Sequence, residues 1–243
     1  MVSPARYLLP LAAAVLALPG VHAASAEETA PAAPTRAEAW IARVVYPTVA
    51  RAEAGGGEAV TRLGTRARWN SGPVGLLVLG TATDAEDRLW VRVRLPIRPN
   101  GTSGWILADM VQLTRTPYRI EISTSRRVVR LLRLGRVVRS LRAVVGMPRY
   151  PTPHGLFSIG ERVPQPDPSG FLGPWALHLT AYSATLLNFG GGPGTIAIHG
   201  RGDASLLDPL GSARSHGCIR IDNAGIRLLA SVAREGTPVL ITG

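Results

Sequence analysis

Cys218 is the only cysteine in the chain, so no internal disulfide can staple the fold and apolar patterning alone must build its core. With 243 residues, the chain is long enough to do this as one large or two small domains. The first residues have the form of an export signal. Arg6 is the sole charged side chain before Glu27, "YLLPLAAAVLALPG" is apolar, and "VHA" at residues 21–23 offers small side chains at a cleavage site. A membrane span needs about 20 unbroken apolar residues, and Pro10 and Pro19 interrupt this run. Residues 1–23 therefore read as a signal peptide, and the mature chain as one secreted across the cytoplasmic membrane into the cell-wall or periplasmic space. In such a chain a lone thiol is a small buried hydrophobe, a link to another chain, or a reactive group.

All 27 basic residues are arginine, against 16 acidic ones, and the formal net charge is +11. Such a surface attracts anionic polymers, which outside a bacterial cell include wall and membrane components. For an exported chain nucleic acid is not the expected partner. The plainer alternative is a coding bias for arginine over lysine, with most of these charges simply solvated.

Composition divides the chain. Residues 24–40, rich in Ala, Pro and polar side chains, read as a flexible tether. The stretch "AEAWIARVVYPTVARAE" has a short helical or irregular character and stops at Gly55, Gly56 and Gly57. From residue 64 to 113 the pattern is short β: Trp90, Arg92 and Arg94 alternate with Val91, Val93 and Leu95, and Asn100–Gly101 marks a turn. Residues 41–114 are thus expected to form a small β module. Its tryptophans, Trp90 and Trp105, around a Pro-Asn-Gly turn resemble those of bacterial SH3-like wall-associated modules, and both suit packing better than ligand binding.

Residues 127–142 give two conflicting signals. Arg127, Arg130, Arg133, Arg136, Arg139 and Arg142 recur every third position, which would draw a basic stripe along a membrane-surface helix. The Val pairs and Gly135 favour two strands joined by a turn, so a hairpin with exposed arginines is expected.

Two short apolar runs carry the chemistry. "GTIAIHG" ends on His199 and Gly200, and "SHGCIRI" holds Ser215, His216, Gly217, Cys218 and Arg220. Each reads as a strand or strand end, with a Gly-, Asp- and Pro-containing loop between them. A free thiol is mostly protonated at neutral pH, and a histidine within hydrogen-bond reach can take its proton and return one to a leaving amine. Residues two apart on one strand lie about 6.6 Å apart along it, whereas facing strands lie about 4.8 Å apart. His199 therefore reaches the sulfur sideways more readily than His216 does lengthwise. His199 is the expected general base, and His216 would orient substrate or polarise its carbonyl. The N–H groups of Gly217 and Cys218 are candidates for an oxyanion hole, and the Gly200 carbonyl for orienting the His199 ring. Arg220 faces the side of Cys218 in an extended chain, where it grips a substrate carboxylate, or else is a surface charge or half of an internal ion pair. Zinc held by His199, His216 and Cys218 is a rival chemistry, but no Cys-x-x-Cys or His-Glu-x-x-His spacing supports it, and no metal is expected.

"IHG" followed by "SHGCIR" resembles the signature of the L,D-transpeptidases, cysteine enzymes that remodel bacterial peptidoglycan. The resemblance extends over residues 117–243: "TPHG" is similar to the family's Thr-Pro-x-Gly turn, "GPWALHLTAYS" to its substrate-side strand and "GTPVLI" to its closing strand. It implies a mainly β fold, a sandwich-like catalytic domain after the SH3-like module. Cys218 would be the nucleophile, His199 the proton shuttle and His216 the second motif histidine. Ser215, Arg220 and Tyr182 would contact substrate, with core packing the alternative for Tyr182 and Trp175. The implied reaction needs no cofactor: acyl transfer from a stem tetrapeptide, with release of terminal D-alanine, to an acceptor amine. A hydrolase using the same thiol and a non-catalytic wall-binding protein are the alternatives.

Overall fold

The computed structural model describes Met1 and residues 30–188 and 192–243; the expected signal peptide and the start of the tether lie outside the described residues. The first sheet is built from β1 (Ala39–Val44), β2 (Thr48–Glu53), β3 (Gly56–Leu63), β4 (Gly75–Thr83), β5 (Leu89–Arg94), β6 (Ser103–Leu107) and β7 (Val111–Thr116). Its seven strands lie in the order β3-β2-β6-β5-β4-β1-β7. They close over an apolar cluster that includes Val78, Val91, Val93, Leu95 and Ile106. The alternation expected of β5 is present from Val91 on, with Val91, Val93 and Leu95 buried and Arg92 exposed, but Trp90, expected on the side of the arginines, is buried as well.

The helical or irregular expectation for residues 37–53 is corrected, because this stretch forms β1 and β2. β1 lies between β4 and β7, and Ala39, Ile41, Ala42 and Val44 are all buried. A strand covered on both faces loses the period-2 signature. β1 also begins inside the stretch expected as tether. Pro31 before it accepts a hydrogen bond from Thr81, and Arg36 pairs with Glu121.

The remaining chain forms β8 (Tyr118–Ser123), β9 (Val128–Arg133), β10 (Arg136–Arg142), β11 (Val145–Gly146), β12 (Gly155–Pro164), β13 (Trp175–Tyr182), β14 (Thr195–His199), β15 (Ala213–Ser215), β16 (Ile219–Arg220), α1 (Asn223–Val232) and β17 (Pro238–Thr242). Eight of these strands make a sheet in the order β10-β9-β8-β17-β12-β13-β14-β16, while β11 pairs with β15. β9 and β10 are the arginine-bearing hairpin, and β10 is its exposed edge. Phe157, Ile159, Leu177, Leu179, Ile198, Ile219 and the inner face of α1 share one core cluster. α1 starts where the Asp222 carboxylate accepts from the Gly225 N–H, and it buries Ile226, Leu229 and Ala230, the spacing of one helix face. α1 is the single α-helix among the described residues, so the fold is mainly β. No helix there is long and apolar enough to cross a membrane.

The two sheets meet closely. A Cβ on Gly75 of β4 would lie 2.7 Å from the Glu235 carbonyl oxygen, so only glycine admits this approach of backbones. The loop between β3 and β4 is also held: the Glu161 carboxylate on β12 accepts from the N–H groups of Trp69, at 2.7 Å, and Asn70.

Candidate active site

β14 and β16 run parallel, with His199 level with Arg220 and Ile198 level with Ile219. This register sets Cys218, one residue before β16, beside Ala197. Because strand side chains alternate faces, Cys218 and His199 share a side. Sulfur and imidazole line one cavity of about 70 Å³, walled by Phe171, Leu172, Leu186 and Ile196. His216 and Arg220 line it as well.

Residues 216–218 are not strand but a tight turn between β15 and β16, and two side chains fix it. The Ser215 hydroxyl donates to the Cys218 carbonyl at 2.6 Å and accepts from the Gly217 N–H at 3.1 Å. Thr152, from the "TPHG" turn, donates to the Gly217 carbonyl at 2.8 Å while accepting from the Gly146 N–H. Gly217 has φ +113, and a Cβ there would stand 2.9 Å from Ile196 Cδ1. Any other residue would strain the turn that presents the sulfur.

His199 is 1% exposed, and its Nδ1 lies 2.8 Å from the Gly200 carbonyl oxygen. A carbonyl can only accept, so the neutral ring carries its proton on Nδ1 and leaves Nε2 with a free lone pair. Burial drives the ring's pKa down to about 4; the Gly200 and Leu172 carbonyls oppose this, and the charge of Arg220 adds to it. Burial pushes the Cys218 thiol up, against a backbone hydrogen bond from Ala197 and the Arg220 charge. The pocket therefore holds a neutral thiol and a neutral base, with no charge to bury until a reaction begins.

Several expected site residues have other roles. Ser215 is fully buried and its hydroxyl is engaged inside the turn, so it does not contact substrate. The Gly217 N–H is bound to Ser215 and is not a free oxyanion donor, which leaves the Cys218 N–H. Tyr182 lies outside the thiol pocket; its hydroxyl donates to the Pro96 carbonyl, and its ring lies under Arg98 at 5.0 Å. It joins the sheets. Arg220 lines the pocket but pairs with Asp208, the internal ion pair weighed above. His216 packs its ring against Tyr150 at 4.8 Å. His178 stacks on Trp69 and His154 bonds Thr124; neither lines the thiol pocket, though His178, level with Ala197, lies near enough to His199 to help lower its pKa. Among the described residues no three His, Cys, Asp or Glu side chains are grouped to hold a metal.

Two contributors were not read from the sequence. The Phe171 ring stands 6.0 Å from that of His199 and under the Arg220 guanidinium at 4.9 Å. Asp208 neutralises Arg220. Both sit in loops, and their only signals are an aromatic beside glycines in "SGFLG" and an acid before proline.

A thiol and a buried, carbonyl-oriented histidine on adjacent parallel strands are the pieces that thiol acyl-transfer chemistry needs. The chain belongs to the L,D-transpeptidase catalytic domain family (YkuD), whose pattern matches residues 117–241. A Bacillus licheniformis protein carrying the name L,D-transpeptidase YkuD is 36% identical over 126 residues, 52% of this chain and 66% of its own, just under two thirds. Among solved structures, an Enterococcus faecium L,D-transpeptidase is 20% identical over 51% of this chain and 49% of its own, with a TM-score of 0.39. One from Mycobacterium tuberculosis is 18% identical over 72% and 75%, with a TM-score of 0.44.

Proposed function

We propose that this protein is a peptidoglycan L,D-transpeptidase with Cys218 as nucleophile and His199 as general base. The observation that carries this is the shared cavity, in which the thiol and a neutral imidazole oriented by the Gly200 carbonyl lie on the same side of the sheet. The Cys218 sulfur attacks the carbonyl of the third residue of a stem tetrapeptide as His199 Nε2 takes the thiol proton. The tetrahedral oxyanion is met by the Cys218 N–H. Collapse forms a thioester and breaks the bond to the terminal D-alanine, whose amine leaves with the proton from His199. An acceptor amine then attacks the thioester, gives a proton back through His199 and restores the thiol, leaving a cross-link. His216, steadied by Tyr150, borders the acyl position.

The test is acylation by a carbapenem followed by intact mass. The wild type gains one adduct and Cys218→Ala gains none; an adduct retained in the variant overturns the assignment. Incubation with tetrapeptide muropeptides then reads the acceptor, since dimers mean transfer to an amine and trimmed monomers mean hydrolysis.

The signal-like residues 1–23 support action outside the cytoplasmic membrane, and the SH3-like resemblance of the first sheet supports association with the wall. The exposed arginines of the β9–β10 hairpin suit anionic wall polymers. Binding to purified walls should weaken as salt rises past the point where the Debye length falls below about 10 Å; binding indifferent to salt overturns that part.

A further inference from the structure

A second cavity, of about 290 Å³, lies between the two sheets. The loop between β3 and β4 supplies Arg66, Arg68 and Trp69, the end of β3 supplies Arg62, and the catalytic sheet supplies His178 and Thr195. Neither sheet forms it alone. Its carboxylate, Glu161, is already bound by two backbone N–H groups; of the three arginines that line the cavity, Arg66 donates to the Ser71 carbonyl and Arg68 lies over the Trp69 ring, so the lining is basic with its one acid engaged. His178 is stacked on Trp69 with the rings 13° from parallel, and its Nδ1 is buried without a hydrogen-bond partner among the described residues. A buried ring nitrogen left unsatisfied next to arginines is a site short of a ligand group.

The cavity adjoins the thiol pocket. Thr195 lines both, and it precedes Ala197, the residue level with Cys218, by two positions on β14. At about 3.3 Å per residue that is roughly 7 Å along the strand. A peptide spans at most about 3.6 Å per residue, so two extended residues cover the stretch of β14 from the level of the sulfur to Thr195, where the second cavity begins. The volume is at the small end of ligand pockets, which run from about 300 Å³. It suits a carboxylate-bearing residue better than a polymer segment, and a guanidinium pairs a carboxylate with two parallel hydrogen bonds.

We propose that this cavity is a carboxylate-binding subsite, assembled jointly by both sheets, that holds the acidic part of the peptide whose acyl group Cys218 takes. This rests on the transpeptidase assignment above. It gives the N-terminal sheet a share in substrate selection.

The experiment uses the full chain and its Arg62→Gln/Arg68→Gln variant with three probes: a stem tetrapeptide with free carboxylates, the same peptide with them amidated, and a carbapenem. In the variant, KM for the acidic peptide rises about tenfold, the size of one charge-assisted contact, while kcat stays within about twofold. KM for the amidated peptide does not change between the proteins, and the carbapenem, which reaches only the thiol pocket, still acylates Cys218. An unchanged KM for the acidic peptide, or an equal rise for the amidated one, overturns the subsite. If the wild type neither acylates nor turns over, the transpeptidase assignment has failed instead. Calorimetric binding of the acidic peptide to both proteins then decides the subsite, with equal affinity counting against it.

Discussion

The two sheets each enclose an apolar cluster, but they differ in the polar groups they bury. In the first sheet, Thr116 at its last position is the buried polar side chain among the described residues; in the catalytic half Thr152, Ser158, Glu161, Thr180, Ser183, His199, Ser205, Ser215, Arg220, Glu235 and Thr237 are all buried. A buried polar group costs about 1–3 kcal/mol unless it is hydrogen-bonded. Several of these have identifiable duties: Thr152 and Ser215 hold the cysteine turn, Arg220 pairs with Asp208, and Glu161 holds the neighbouring sheet. The catalytic half thus accepts a polar interior because its turns and base depend on it. The first sheet keeps an apolar core, with Arg94 its half-buried charge.

The most severe way to break this contrast is His199→Ala. General-base catalysis contributes about 10²–10⁴ in rate, so peptide turnover should fall by that factor while carbapenem binding to the pocket persists. A fall under about tenfold would pass the role of base to His216. The pH dependence sharpens the point. With His199 depressed to about 4, the acid limb of kcat/KM belongs near 4 and not near 6.5. Stability follows the same sign. Between those values the unfolded ring binds a proton and the folded ring does not, so stability rises with pH across that window and is lost as pH falls through it. A shift of this size corresponds to about 3 kcal/mol, and His199→Phe should flatten the slope of urea-unfolding free energy over the same range.

Next in size is Ser215→Ala. It removes the donor to the Cys218 carbonyl and the acceptor of the Gly217 N–H, leaving a buried N–H unpaired at a cost of about 1–3 kcal/mol. A thermal melt should show the loss of stability, with carbapenem acylation slowed because the turn no longer holds the sulfur in place. An unchanged melting temperature would mean that Thr152 holds the turn unaided.

The sequence made the chemistry legible where it is local. "IHG" and "SHGCIR" each carry their own strand end, and adjacent strands needed only to pair for His199 and Cys218 to share a pocket. The Gly200 carbonyl follows its histidine directly, so its role in orienting the ring was readable too. The surroundings of Ser215 and Tyr182 were not legible because their partners are set by folding: Ser215 closes on its own turn, and Tyr182 bonds the Pro96 carbonyl, 86 positions away, and lines the cavity between the sheets instead of the thiol pocket. The β1 strand escaped because burial on both faces erased its alternation. α1 carries a signal, Asp222 before the spacing of Ile226, Leu229 and Ala230, but over ten residues between two strands that signal is short.

The joint between the sheets gives the smallest expected effect and the finest test of whether they are separate units. The Glu161 carboxylate, 5% exposed, accepts from two N–H groups of the loop between β3 and β4, and Asn70 donates in turn to the Arg162 carbonyl. Glu161→Gln keeps the shape and one acceptor oxygen but removes the charge that strengthens both bonds, a loss of about 1 kcal/mol. If the first sheet depends on this anchor, the variant's loop should show faster amide exchange at Trp69 and Asn70, while Ile198 and Ile219 beside the cysteine remain as protected as before. Faster exchange spreading to β14 would mean that the two sheets fold as one cooperative body and that their unequal interiors do not make them independent.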